Sequence, residues 1–374
     1  MLPTRGKFLM LAAGLLLSLP ALGQFSGLAP DPFTYEGEKG QLAQPPRFPR
    51  SPAAWRDLPF FIDFYLKDHF GFRPLMILAM SELRYALRSV NAKAYANLDG
   101  RLFLRSDHML EQSAGVIRRD AQVIETAGFL ARLQGVLAKR GVRFLVASPP
   151  NASTIYRDQL PQWARTHGRA TEYDLLLEQL AANGVVGIDL RPLLLAARAS
   201  GETYFRYDTH WTPRGALVSF DAVAEAAGHR EWQLDPPAIL RRTGSRVGDL
   251  AAIIGMPGRL KEPIETADLP AGAKTPLSPP AKALVPGFAP FLVESNIAGP
   301  TIMIIGDSFT FGQEFLFADF LLQHAHRVIW QPHNFCNFDW GLVEQFQPAE
   351  IWWMPTERFQ NCAPEPNRVR LPVE

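Results

Sequence analysis

The stretch TIMIIGDSFTFG, Thr301 to Gly312, decides how the chain is read. Thr301 to Ile305 are apolar or β-branched and suit a buried strand. Gly306 allows the chain to turn, which leaves Ser308 at the carboxyl edge of a sheet, where open α/β sheets bind their ligands. A helix beginning near Phe309 points the positive end of its dipole and its free N–H groups toward whatever Ser308 attacks, the electrostatics an oxyanion needs. Asp307 reads as a local hydrogen-bonding residue. A Gly-Asp-Ser run is common, so the stretch gains meaning only with a base that can take the hydroxyl proton.

That base is found upstream, in TYFRYDTHWTPRGA, Thr203 to Ala216. Thr212 followed by Pro213 is a helix start, with threonine as the cap and proline in the first turn. His210 therefore lies on a short connection with little freedom. In an extended segment, residues two apart face the same side, so Asp208 can reach the His210 ring, fix its tautomer and stabilise its charged form. Taken singly, each motif has a plain structural reading, a capping aspartate or a hydrogen-bonded core histidine. Taken together, both occupy strand-to-helix junctions, and Asp208, His210 and Ser308 form a candidate orienter, base and nucleophile.

The surrounding chain alternates helix and strand signals. A helical pattern from Asp120 to Arg140 leads through Gly141 into VRFLVAS. A second, about Ala170 to Ala182, leads through Asn183-Gly184 into VVGIDL. TPRGALVSFDAVAEAAG is a third helix, closed by Gly228, and the strands TIMII, RVIWQ and EIWWM follow. Short apolar strands between helices predict a mostly parallel sheet covered on both faces. Between about 232 and 300 ten prolines break the rhythm, which reads as an insertion. The expected organisation is a signal peptide or anchor over 1–23, a linker over 24–54, an N-terminal helical region over 55–119, and an α/β domain over 120–366. The apolar stripe of the helical region (Phe60, Phe61, Phe64, Leu75, Leu78) reads as packing on the main domain, with a membrane- or partner-facing surface as the alternative.

Bulk properties narrow the class. With 374 residues, 47% hydrophobic and 20% charged, the chain can bury a large core. A net charge of +1 without a basic stripe excludes nucleic acid as a partner. Arg5 and Lys7 precede an apolar run from Phe8 to Leu22, shorter than the roughly 20 residues that span a bilayer. A cleaved signal is favoured over a retained anchor, which places the mature chain outside the cytoplasm, in a periplasm if the cell is Gram-negative, with attachment to the inner membrane through the N-terminal segment as the alternative. Cys336 and Cys362 fit either one disulfide or two buried thiols. No Walker loop or dinucleotide fingerprint is present, and no cofactor is expected. His324 and His326 with Asp208 could be assembled into a metal set, but residues two apart on a helix face different sides, so no metal is expected.

The motif GDSF, Gly306 to Phe309, resembles the first block of SGNH-type esterases and acyltransferases. DTHW, Asp208 to Trp211, lying upstream of it, is similar to the circularly permuted arrangement of alginate O-acetyltransferases of the AlgJ/AlgX type. HFGFR (His69 to Arg73), DGRLFL (Asp99 to Leu104), GDL (Gly248 to Leu250) and Glu357-Arg358 fit the same family. The resemblance implies a permuted, SGNH-hydrolase-like three-layer α/β/α fold with Asp208, His210 and Ser308 as the triad. It implies acetyl transfer through a serine acyl-enzyme to hydroxyls of an exported polysaccharide. A membrane-bound acyltransferase of the MBOAT type would supply the acetyl group. Glu357-Arg358 lies close to the last residue, which points to the AlgJ branch rather than members with an added carbohydrate-binding module. Asn151 stands where the family has a basic residue, and the usual Gly and Asn blocks of SGNH esterases are not recognisable. Gly306, Asn334, Asn337, Trp211 and Arg358 are the oxyanion or substrate-binding candidates; Trp211, Phe309, Phe311, Trp330 and Trp340 are candidate apolar walls and sugar-stacking faces, with core packing the favoured reading for at least half of them. The alternatives are a carbohydrate acetylesterase on the same triad and a non-catalytic polysaccharide-binding subunit.

Overall fold

The structure is a computed structural model. It describes residues 43–362 except 70, 166–168, 268, 270–273, 278–288, 311–316 and 337–338, together with Met10, Gly14, Ser18, Gly23 and Ser26. Most of the segment expected as signal or anchor, and most of the linker, thus lie outside the described residues. The chain divides into two compact units, Met1–Leu102 with Val247–Lys261, and Phe103–Arg246 with Glu262–Glu374.

The first unit carries α1 (Pro52–Asp68) and α2 (Arg73–Ala86), each with a proline in its first turn. No residue of α1 is buried, and Trp55, Phe60, Phe61, Phe64 and Leu66 are exposed. No helix among the described residues is long and apolar enough to cross a membrane. The short strand β1 (Ala94–Ala96) follows.

Almost wholly in the second unit, β2 (Leu102–Leu104), α3 (Asp120–Lys139), β3 (Arg143–Val146), α4 (Glu172–Ala182) and α5 (Pro213–Ala226) lead into a two-stranded sheet of β4 (Leu240–Val247) and β5 (Lys261–Ala267). The remaining elements are β6 (Lys274–Pro276), β7 (Phe291–Glu294), β8 (Thr301–Gly306), α6 (Phe317–Leu321), β9 (Arg327–Pro332), α7 (Trp340–Phe346) and β10 (Glu350–Met354). Six strands form one sheet in the order β3-β10-β8-β9-β7-β6. The first four run parallel and β7 and β6 are added antiparallel.

Alternation along the strands explains why both faces are covered. Phe144, Val146, Met303, Ile305, Ile329, Ile351 and Trp353 share one face and pack with Leu130, Leu133 and Leu137 of α3 and Leu176 and Leu180 of α4. Trp352 points to the other face, where its ring meets Phe220 of α5 and Phe317 of α6. β8 lies between β10 and β9 and is buried from Ile302 to Gly306, so the residues just beyond it emerge at the middle of the sheet's carboxyl edge.

Two expectations change. VVGIDL forms a single parallel bridge, Val146 with Gly187, instead of a strand. Gly187 sits close against Leu177 and Leu180, and pairing goes no further than that bridge. The proline-rich segment over 232–300 is not irregular throughout: it supplies the two-stranded β4–β5 sheet and the two antiparallel edge strands. Pro276 ends the outermost strand, an edge position that proline tolerates. The helix expected to begin near Phe309 falls mostly outside the described residues. Residues 308–310 form a turn, with Thr310 N–H donating to the Asp307 carbonyl at 3.1 Å, and 311–316 lie outside the described residues.

Candidate active site

Ser308 is partly exposed two residues beyond β8. Its turn is pinned by Asp307, one of whose carboxylate oxygens accepts from Phe309 N–H at 3.0 Å. The other accepts from Thr356 N–H at 2.7 Å and from the Thr356 hydroxyl at 2.6 Å. Thr310 is fixed in turn by the Trp330 indole N–H, which donates to its hydroxyl at 3.0 Å. Gly306 is required by close approach, since a Cβ there would run into the Thr310 hydroxyl.

The Asp208–His210 segment is rigid for reasons local to the chain. Thr212 N–H donates to the Thr203 carbonyl at 2.9 Å and Phe205 N–H to the His210 carbonyl at 3.2 Å, which closes residues 203–212 into a tight loop. Thr212 caps α5 by accepting from Gly215 N–H at 3.2 Å, and its own hydroxyl donates to the Glu202 carbonyl at 2.7 Å. Buried Glu262, on β5, accepts from Arg206 N–H at 2.6 Å and Tyr207 N–H at 2.9 Å. Burial pushes the Glu262 carboxyl above its ordinary value.

Within this frame one Asp208 carboxylate oxygen lies 2.6 Å from His210 Nδ1 and accepts from His210 N–H at 2.9 Å. The other lies 3.1 Å from Arg246 Nη2, on β4. His210 Nε2 lies 2.8 Å from Ser308 Oγ. Asp208 is 1% and His210 9% exposed, so these contacts are largely shielded from water and correspondingly strong. The arrangement can take a proton from the serine hydroxyl onto an imidazole whose far nitrogen faces a carboxylate, which is what nucleophilic acyl chemistry requires.

A cavity of about 230 Å³ opens beside Ser308, lined by Gly306, Asp307, Ser308, Pro332, His333, Asn334, Phe335, Arg358 and Phe359. Of the sequence candidates, Gly306, Asn334 and Arg358 thus reach the same cavity as the serine. The Asn334 side-chain oxygen is buried without a hydrogen-bond partner among the described residues. The Arg358 guanidinium lies over the Phe309 ring at 5.2 Å and the Phe359 ring at 5.0 Å. Trp211 is corrected: it is fully buried against Phe309 and Phe317 and does not line the cavity. The indole is large and apolar and lies among aromatic rings, so packing claims it. Phe309 and Trp330 are likewise fully buried, and Trp340 is only partly exposed, on α7. Asn337 and Phe311 lie outside the described residues. His324 is stacked between Phe220 and Trp232, away from any ligand role with Asp208.

Sequence reasoning missed Arg246, Glu262 and His333. Arg246 and Glu262 come from the proline-rich segment, whose composition hides its strands. His333 had a usable signal: it follows the apolar strand RVIWQP directly and so reaches the same sheet edge as Ser308.

Comparison with known proteins gives a consistent picture. Residues 98–346 match the model of the family described as the SGNH hydrolase-like domain of acetyltransferase AlgX. The chain is 24% identical over 187 residues to the probable alginate O-acetylase AlgJ of Pseudomonas putida, 45% of this chain and 48% of that protein. The chain therefore spans about half the length of that relative. The O-acetyltransferase domain of Pseudomonas putida AlgJ superposes with a TM-score of 0.48 at 18% identity, covering 74% of this chain and 95% of that one. PatB1 of Bacillus cereus, solved with a sulfonyl adduct, shares the fold with a TM-score of 0.52 at 11% identity, covering 73% and 99% of the two chains.

Proposed function

Since the chain belongs to the family of SGNH hydrolase-like acetyltransferase domains typified by AlgX, we propose that it transfers acetyl groups through Ser308 to hydroxyls of an exported polysaccharide. The observation that carries this reading is the hydrogen-bonded series Asp208–His210–Ser308, with 2.6 Å and 2.8 Å contacts, opening on a small cavity.

In the first half-reaction Ser308 Oγ attacks the acetyl carbonyl carbon while His210 Nε2 takes the hydroxyl proton. The tetrahedral adduct collapses, the bond to the departing group breaks, and that group leaves with the proton from His210. Asp208 accepts from Nδ1–H and stabilises the transient imidazolium. In the second half-reaction an acceptor hydroxyl gives its proton to His210 as its oxygen attacks acetyl-Ser308. The ester passes to the acceptor and Oγ recovers a proton from His210. A cavity of this size suits an acetyl group, and the partly exposed serine leaves room for a polymer chain to approach. The acceptor is read as alginate or a similar exopolysaccharide. The acetyl donor is read as a membrane-bound acyltransferase of the MBOAT type, and the compartment as the periplasm.

The test uses a small acetyl ester as donor. Mass spectrometry of the Ser308 peptide is expected to show an added acetyl group that Ser308→Ala cannot carry. With an oligosaccharide present, acetyl is expected on the sugar. Acetate release indifferent to the sugar would replace transfer with hydrolysis, and an unlabelled Ser308 peptide would refute the acyl-enzyme.

A further inference from the structure

We propose that the side chain of His333 is a further catalytic residue, donating a hydrogen bond from Nε2–H to the acyl oxygen as it becomes an oxyanion on Ser308. The proposal rests on the acyl-transfer reading above and supplies the donor that the sequence leaves unassigned.

Position comes first. His333 follows β9 directly, and its backbone N–H donates to the Gly306 carbonyl at 2.9 Å, two residues before the serine. His333 and Ser308 line the same cavity, whereas His210 does not line it. The base and His333 therefore serve different sides of the serine. A tetrahedral adduct needs that division, because its oxyanion must be met by donors apart from the group that holds the proton.

The ring is also set up as a donor. Phe335 N–H donates to His333 Nδ1 at 3.1 Å, so the neutral ring carries its proton on Nε2. Nε2 is the far corner of the ring from that turn, and it has no hydrogen-bond partner among the described residues. The residue is 6% exposed, so an oxygen that meets Nε2–H would be largely shielded from bulk water and the contact strengthened. Burial holds the imidazole below its ordinary value, which keeps the ring neutral, as a hydrogen-bond donor to an oxyanion should be if it is not to give up its proton. The Phe335 and Phe359 rings, at 5.7 Å and 5.5 Å, fix its orientation. No proton leaves His333 in the step. The Oγ–C bond forms, the carbonyl π pair moves onto oxygen, and Nε2–H strengthens its hydrogen bond to that oxygen.

Two substitutions separate this role from packing. His333→Asn keeps an acceptor where Nδ1 meets Phe335 N–H but removes the far donor. His333→Gln places an amide N–H where Nε2–H was. Pre-steady-state acetylation of Ser308 by the small ester is the readout, with thermal unfolding of each full-length variant alongside. His333→Asn is expected to slow acetylation about 100- to 1,000-fold with KM little changed, and His333→Gln to stay within about tenfold of the natural protein. Acetylation by His333→Asn at the natural rate would overturn the proposal and leave the acyl-transfer reading standing. Equal losses in both variants, or a loss carried by KM, would overturn it in favour of a packing role. If His333→Asn does not fold, rescue by His333→Gln against the inactivity of His333→Leu decides in the same way. A natural protein that never acetylates Ser308 would instead refute the underlying reading.

Discussion

At the scale of single residues, Asp208 illustrates how a buried carboxylate is supplied with partners. It is 1% exposed, and a lone ion there would be driven to take up a proton. It instead faces His210 Nδ1 and the backbone N–H of His210 through one oxygen, and Arg246 through the other. Arg246 is itself held over the Phe205 ring at 4.4 Å. Arg246→Met is therefore expected to destabilise the protein by about 3 kcal/mol, since breaking a buried pair leaves the partner's charge uncompensated. It should also lower kcat more than it raises KM. Urea unfolding and steady-state kinetics check the two halves. Asp208 and His210 were legible in the sequence because a two-residue spacing has a direct geometric meaning. Arg246 was not, because a salt bridge formed across 38 residues leaves no local pattern, taking the difference between positions 208 and 246.

At the scale of elements, α5 shows the most agreement between sequence and structure. Thr212, Pro213 and Gly228 mark its ends, and its helical period places Phe220 and Val223 inside. Cap, turn and period all act within a few residues, so the sequence can carry them. The same helix holds a titration. Burial pushes the half-buried Asp221 carboxyl up to about 6. The folded state therefore holds this proton more tightly than the unfolded chain does, and the resulting stability is present at low pH and lost as pH rises through about 6. Asp221→Asn mimics the protonated form. It is expected to raise stability by about 1–2 kcal/mol at pH 8, after allowance for partial exposure, and to change little at pH 4. Thermal unfolding at the two pH values provides the comparison. The segment VVGIDL was misread for a physical reason. Apolar runs and glycine punctuation state that an element can form, whereas pairing partners and the space beside it decide whether it does.

At the scale of the molecule, the sheet order explains how distant segments meet. β8 lies at the middle of the sheet, with β9 and β10 as neighbours, so the residues after these three strands share one edge. Ser308, His333 and Thr356 come from that edge, and Thr356 buttresses the serine turn through Asp307. The disulfide between Cys336 and Cys362 ties two of these post-strand segments together, with a Cα–Cα distance of 5.6 Å and a sequence separation of 26. It anchors a turn in which Asn334, Phe335 and Cys336 all have positive φ (43°, 53° and 68°), a conformation that non-glycine residues adopt at a cost. Replacing both cysteines with serine is expected to cost about 3–4 kcal/mol, the chain-entropy value for a loop of this length. Acetylation of Ser308 should slow as well, because the turn carries His333. Denaturant midpoints measured with and without reductant give the first value, and acyl-enzyme formation gives the second.

By itself the sequence determined the α/β class, a strand from Thr301 to Ile305 turning at Gly306, the helix start at Thr212 and the pairing of Asp208 with His210, because each rests on contacts between near neighbours along the chain. Tertiary structure alone decided that His210 Nε2 stands 2.8 Å from Ser308, that Trp211 is core, that a proline-rich segment supplies Arg246 and Glu262, and that His333 enters the serine's cavity. Those outcomes depend on strand order and on the volume available between elements, and both are set only when segments far apart in the chain pack together.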